Sequence, residues 1–189
     1  EARLRLARAY GRDLLDRGFE PADLVERANA ASRPLATLLR ELDHVGGYKE
    51  DPLRKKSALL AVILRQRPEA WLRTADEDDA PPIVDYHVQR SCLRTGMVTV
   101  DDPALARAVE RRELISAVAE HEIRGACYRA VAALRDDSGR TMGAVDWFLF
   151  QNRERCPEMS EPECERCPLD GVCAHRRELF QPVIRTTFY

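Results

Sequence analysis

Along this chain apolar residues recur three or four positions apart, and no stretch keeps the strict alternation of a half-buried strand. The pattern predicts helix, loop, helix from one end to the other. Residues 1 to 17 carry Leu4, Leu6, Leu14 and Leu15 among arginines until Gly18 stops them; a second helix starts near Pro21 and a third near Ser32. "EDPLRKKSALLAVILRQRP" predicts an apolar helix over about 52–66, with Asp51 as N-cap, Pro52 in its first turn and Pro68 beyond its end. "TADEDDAPP" reads as an acidic, proline-bearing loop, and "IVDYHVQRSCLRTG" as a short helix capped by Asp85 and closed by Gly96. From Pro103, "DDPALARAVERRELISAVAEHEIRGACYRAVAALRDD" supplies one or two long helices, and "TMGAVDWFLFQNRERC" a last one that delivers Cys156. The expected class is all-α, with a helical domain over 1–150 and a cysteine loop and tail over 151–189.

Composition changes this picture in two places. Thirty Lys plus Arg stand against thirty-two Asp plus Glu, so no general attraction to nucleic acid or membrane exists and any such footprint must be local. No apolar run approaches the roughly 18 residues that span a bilayer, and no signal-peptide pattern is visible, so we expect a soluble, cytoplasmic, monomeric protein. The chain opens on Glu1 rather than Met, which leaves open whether residues precede it.

The second place is "CPEMSEPECERCPLDGVC", which gathers Cys156, Cys164, Cys167 and Cys173, four of the six cysteines. Four readings compete. Disulfides suit small secreted chains, and no export signal accompanies these cysteines. Zinc takes four ligands in a tetrahedron, usually as two close pairs, whereas only one C-x2-C pair is present, Cys164 and Cys167. An iron-sulfur cube is larger than one ion and needs a loop that wraps it, which the spacing C-x7-C-x2-C-x5-C suits. Four unrelated thiols are the remaining reading. Cys92 and Cys127 lie in apolar helical patterns and read as small core residues.

"PPIVDYHVQRSCLRTGMV", followed by a helical stretch, then "VDWFLFQNRERC" and the cysteine loop, resembles the C-terminal half of the endonuclease III group of helix-hairpin-helix base-excision glycosylases over roughly residues 52 to 173. The resemblance implies a two-lobed glycosylase-like fold with a C-terminal loop binding a [4Fe-4S] cluster through Cys156, Cys164, Cys167 and Cys173. The family's first interval is six residues; here it is seven. By the match Asp85 falls on the catalytic aspartate. The family's hairpin, L-P-G-V-G-x-K-T-A, has no counterpart where this chain reads "RQRPEAW". "DHVGGYKEDPLRKKSALLAVIL" is more similar to the archaeal 8-oxoguanine glycosylases, whose catalytic lysine opens an apolar helix; Lys56 is the matching position and Lys55 its neighbour. A similar layout occurs in the queuosine-nucleotide glycosylases, which act on a small modified nucleotride rather than DNA and lack the cluster loop. Only 55 residues precede Lys56, fewer than the family's helical lobe usually takes.

The implied function is N-glycosylase action on a damaged or modified base, in DNA or in a free nucleotide, with a lyase step if Lys56 forms a Schiff base; a non-catalytic, cluster-bearing nucleic-acid-binding module is the third class. Breaking an N-glycosidic bond leaves positive charge on the sugar, so a fixed carboxylate at Asp85 lowers the barrier; the plain alternative is that Asp85 only caps its helix. Lys56 would attack as a free amine, or is a solvated lysine on a basic helix end. Tyr86 would stack on a base or pack, and His87 would face the pocket or the core. Trp147 and Phe148 are expected to cover the cluster. Arg153, Arg155, Arg166, Arg176 and Arg177 would hold phosphates or balance the thiolates.

Overall fold

The computed structural model describes residues 1–188 and contains eight α-helices among them, with no β-strand. One isolated parallel bridge pairs Leu114 with Val183. The chain divides into two compact units: Glu1–Ile83 with the tail from Thr186, and Val84–Arg185. The boundary therefore falls between Ile83 and Val84, not at 150. The last helix and the cysteine loop belong with the helices before them because those helices bury their apolar faces on one another.

In the first unit α1 (Ala2–Asp16), α2 (Pro21–Ala30), α3 (Pro34–Leu42) and α4 (Lys55–Gln66) bury Leu14, Leu24, Ala28, Leu35, Leu38, Leu39, Leu42, Ala58, Ala61 and Val62. Gly18, in the left-handed region at φ +66, ends α1, and Pro21 opens α2 with a reciprocal Glu20/Asp23 capping box. After α3 the chain crosses α1 so closely that a Cβ on Gly46 would lie 2.5 Å from the Cβ of Ala9, and the Gly46 N–H donates to Asp13 at 2.7 Å. The hydrogen bond from Lys49 holds the Asp13 carboxyl below its usual range. α4 starts three residues later than the proline pattern predicts. Asp51 accepts from the N–H groups of Leu53 and Lys55 across a tight turn, and Arg54 takes the N-cap position at φ 55. The acidic loop is not a solvated connector throughout. The buried Asp78 accepts from Leu35 N–H at 2.7 Å and Ala36 N–H at 3.0 Å, and so serves as the N-terminal partner of α3; Arg65 pairs with it at 2.7 Å.

The second unit is built around α5 (Tyr86–Thr95), flanked by α6 (Pro103–Glu110), α7 (Ala117–Ser138) and α8 (Met142–Asn152). Asp102, Ser116 and Thr141 cap the last three through their side chains. From Val88 to Arg94 every residue of α5 is buried, including Gln89, Arg90 and Arg94. α7 contributes Ile123, Cys127 and Val131 to this core and α8 contributes Met142, Val145 and Leu149. Cys92 and Cys127 are buried neighbours, and the hydrogen bond between them together with burial pushes the Cys127 thiol far up, so both are inert core thiols. On α8 the buried positions run 142, 145, 149, 152, a helical stripe that leaves Trp147 (60 %) and Phe148 (41 %) exposed. Neither covers the cysteine loop, contrary to expectation: Trp147 stacks on Phe150 at 6.1 Å.

A candidate metal centre beside a capped aspartate

Cys156 lies four residues past the last residue of α8, its N–H bonded to Asn152 O at 2.9 Å. The loop then forms two single turns of 3-10 helix, Cys164–Arg166 and Asp170–Val172, and returns to the end of α5, where Ala174 N–H donates to Thr95 O and Arg176 N–H to Arg94 O, each at 3.0 Å. Gly96 closes α5 at φ 81, and a Cβ there would meet the Cβ of Ala174 at 2.8 Å, so glycine serves both the left-handed cap and the passing loop.

Cys156, Cys164, Cys167 and Cys173 all line one small pocket of about 30 Å³, together with Arg94, Asn152, Asp170 and His175. Burial pushes the Cys167 thiol up; the Leu169 N–H opposes this, and the other three cysteines add to it by charge. Their sulfurs have different neighbours. Cys156 Sγ accepts from Arg94 at 3.3 Å, Cys167 Sγ donates to Asn152 Oδ1 at 3.2 Å, and Cys173 Sγ accepts from His175 N–H at 3.3 Å. Four soft donors on one pocket, two of them already receiving N–H groups, form a ligand set that fits a thiolate-bound cluster. Among the described residues no three of these sulfurs lie within 4.8 Å of one another; the trio that does meet that distance is Cys164, Asp170 and His175.

Arg90 and Arg94 tie the loop to α5, and neither carries a sequence motif of its own. Arg94, 4 % exposed, donates to Leu179 O and Pro157 O at 2.8 Å each, as well as to Cys156 Sγ, and lies 4.9 Å from the Phe180 ring centre. Arg90 donates to Gln181 Oε1 at 3.2 Å and Cys156 O at 3.3 Å, and meets His87 Nδ1 at 3.2 Å. Burial lowers the Arg90 pKa, with Arg94 acting in the same direction. The signal available in the sequence was position: five and nine residues after Asp85, both fall within the stretch that the helix buries. Of the five arginines expected to face phosphate or cluster, Arg155 lines this pocket, and four have partners of their own. Arg155 and Arg166 pair with Glu163 at 2.7 and 3.1 Å, Arg176 with Glu178 at 2.7 Å, and Arg153 sits 3.6 Å over the Phe150 ring.

Asp85 caps α5 as expected, its Oδ1 accepting from His87 N–H at 2.9 Å and Val88 N–H at 3.0 Å. Tyr86 and His87, both half-buried, have ring centres 4.0 Å apart. Burial lowers the His87 pKa against the charge of Asp85, with Arg90 and Arg153 assisting and Glu158 opposing. The neutral imidazole accepts the Arg90 N–H at Nδ1. Lys55 and Lys56, both half-buried, are the first two residues of α4 and belong to the first unit, whereas Asp85 belongs to the second. The Lys56 amine donates to Thr187 O and, at 3.4 Å, to Gly47 O. No family model matches the chain, and neither a curated protein nor a solved structure matches it.

Proposed function

We propose that the protein is a base N-glycosylase acting on nucleic acid, with Asp85 as its catalytic carboxylate and a [4Fe-4S] cluster on Cys156, Cys164, Cys167 and Cys173. The observation that carries this reading is that one helix, α5, has Asp85 at its N-terminus and holds Cys156 through Arg90 and Arg94 further along. A carboxylate fixed by two backbone N–H groups does not need to reorganise when positive charge develops on the sugar, so it offsets that charge at low cost. The helix dipole favours negative charge at the same point. The neutral His87 beside it offers a hydrogen-bonding group to water or base.

The sequence offers one close C-x2-C pair, Cys164 and Cys167, where a zinc knuckle set uses two, and this supports a cluster over a single ion. When bound, the cluster would supply a rigid, redox-capable core that fixes an otherwise weakly apolar loop. Lys56 enters only in a lyase step, and both of its carbonyl contacts must be released before its nitrogen can attack.

The test uses the full chain with duplex oligonucleotides that each hold one damaged or modified base, and with the matching free nucleotides. Base release from duplex should fall by several orders of magnitude, roughly 10²–10⁴-fold, in Asp85→Asn while duplex affinity changes little. Metal analysis should find about four irons and four labile sulfides per chain. Release from free nucleotides alone would move the substrate to a nucleotide-salvage class. Full activity of Asp85→Asn would refute the mechanism, and stoichiometric zinc without sulfide would refute the cluster. Borohydride trapping that is lost in Lys56→Ala would add the lyase step.

A further inference from the structure

We propose that Cys164, Asp170 and His175 form a single-ion site for a zinc-class divalent cation, used when the four-cysteine pocket is not filled. One thiolate, one imidazole and one carboxylate make a mixed donor set that suits zinc, and three protein ligands leave a fourth position for water. One ligand atom from each residue lies within 4.8 Å of the other two. Tetrahedral zinc with bonds of about 2.0–2.3 Å needs its ligand atoms roughly 3.3–3.8 Å apart, so closure draws Cys164 Sγ in by at most about 1 Å while the His175–Asp170 pair, 2.8 Å apart, opens.

Cys164 stands apart from the other three cysteines. Cys156 is engaged by Arg94, Cys167 by Asn152 and Cys173 by the His175 N–H, whereas no hydrogen bond reaches Cys164 Sγ among the described residues. The potential co-ligands that lie within 4.8 Å of it are instead the paired side chains of His175 and Asp170, whose Nε2 and Oδ1 are 2.8 Å apart. These side chains are 40 % and 46 % exposed, so an ion reaches them without opening the core. Their placement follows from the fold: the two 3-10 turns bring Cys164 and Asp170 together, and the left-handed backbone at His175 (φ 53) returns its ring towards them. Binding opens the His175–Asp170 contact, takes the imidazole in its neutral form and releases the Cys164 thiol proton to solvent. Because Cys164 serves in both sets, occupation by the ion excludes four-cysteine ligation. The site itself does not depend on the glycosylase reading.

The experiment uses the full chain produced under iron limitation, stripped with a chelator and titrated with Co²⁺, which shares zinc's tetrahedral preference and reports its ligands in the visible spectrum. We expect one Co²⁺ per chain with a thiolate-to-metal charge-transfer band. Cys164→Ser should remove that band. His175→Ala and Asp170→Asn, at exposed positions, should each raise the Kd about tenfold or more, whereas Cys156→Ser should leave band and affinity unchanged and Cys173→Ser should keep the band. Equal loss in Cys156→Ser, Cys173→Ser and Cys164→Ser would overturn the proposal in favour of a four-cysteine ion site. So would the absence of Co²⁺ binding by the unaltered chain, or unchanged affinity in both His175→Ala and Asp170→Asn. The cluster reading fails on a different measurement, the iron and sulfide content of protein made with iron present.

Discussion

Arg94→Leu removes a buried guanidinium while keeping an apolar side chain on α5. Three contacts go at once: the donations to Leu179 O and Pro157 O, both at 2.8 Å, and the one to Cys156 Sγ at 3.3 Å. A buried carbonyl left without a donor costs about 1–3 kcal/mol; Leu179 is buried and Pro157 half-buried, so the two belong near the upper and lower ends of that range. The lost stacking on Phe180 adds to this cost, and removing a buried cation relieves part of it. A net loss of about 3 kcal/mol results, which with an m-value near 2 kcal/mol/M lowers the urea midpoint by about 1.5 M. Since the chain has two units, the measurement belongs in a Trp71→Phe background, where Trp147, the one remaining tryptophan, reports the unit that holds Arg94. Arg94→Lys keeps the charge but not the planar fork and should fall between the two. A midpoint shift below about 0.3 M in Arg94→Leu would show that water or a rearranged loop satisfies these carbonyls, and the bolting of the cysteine loop to α5 would have to be abandoned.

Two further outcomes concern Asp78, which the sequence did not single out, and His87, which it did. Asp78→Ala should lower stability by about 3–5 kcal/mol by leaving the half-buried Arg65 without its carboxylate partner and two N–H groups of α3 uncapped, while Asp76→Ala, in the exposed part of the same loop, should stay within about 0.5 kcal/mol; equal effects in a denaturation series would refute the clamp. His87 has a folded pKa below its ordinary 6.5, so the unfolded chain takes up the proton first as pH falls. Its contribution to stability is whole above about 6.5 and declines as pH drops from there towards the folded value. His87→Gln should flatten that decline in urea midpoints measured between about pH 7.5 and 5.5, and an unaltered slope would exclude His87 as its source.

What could be read from the sequence was what is decided within a few residues. Glu20 with Asp23 around Pro21, Asp85 with Gly96, Asp102 before Pro103, and Thr141 end or start helices through bonds to their own neighbours, and the helices begin or stop at or near the expected positions. α4 was displaced because Asp51 bonds N–H groups two and four residues on, making a turn before the helix. The choice between one and two helices after Pro103 was settled by Arg112, whose left-handed backbone (φ 56) breaks α6 from α7. Contacts across long sequence distances were illegible. Asp78 caps a helix that begins more than forty residues earlier, and Arg90 finds Gln181 ninety-one residues away. Periodicity also does not distinguish an aromatic residue that covers a site from one that faces water, as Trp147 shows. In the candidate site the cysteine pocket and the Asp85 cap were legible, while the arginines joining them were not.

The hydrogen bond from Lys56 to Thr187 has a consequence for how the chain is made. The first unit is interrupted by the whole of the second and resumes only at Thr186, so order in the chain and order in space differ. On a ribosome, residues 1–83 emerge long before their last strand of contacts exists, and the second unit has the opportunity to fold in the meantime. Lys56 must wait for more than a hundred residues of synthesis before it meets that carbonyl. A nascent chain arrested before Thr186 would therefore carry all four cysteines of the pocket and a first unit that still lacks the carbonyl for Lys56.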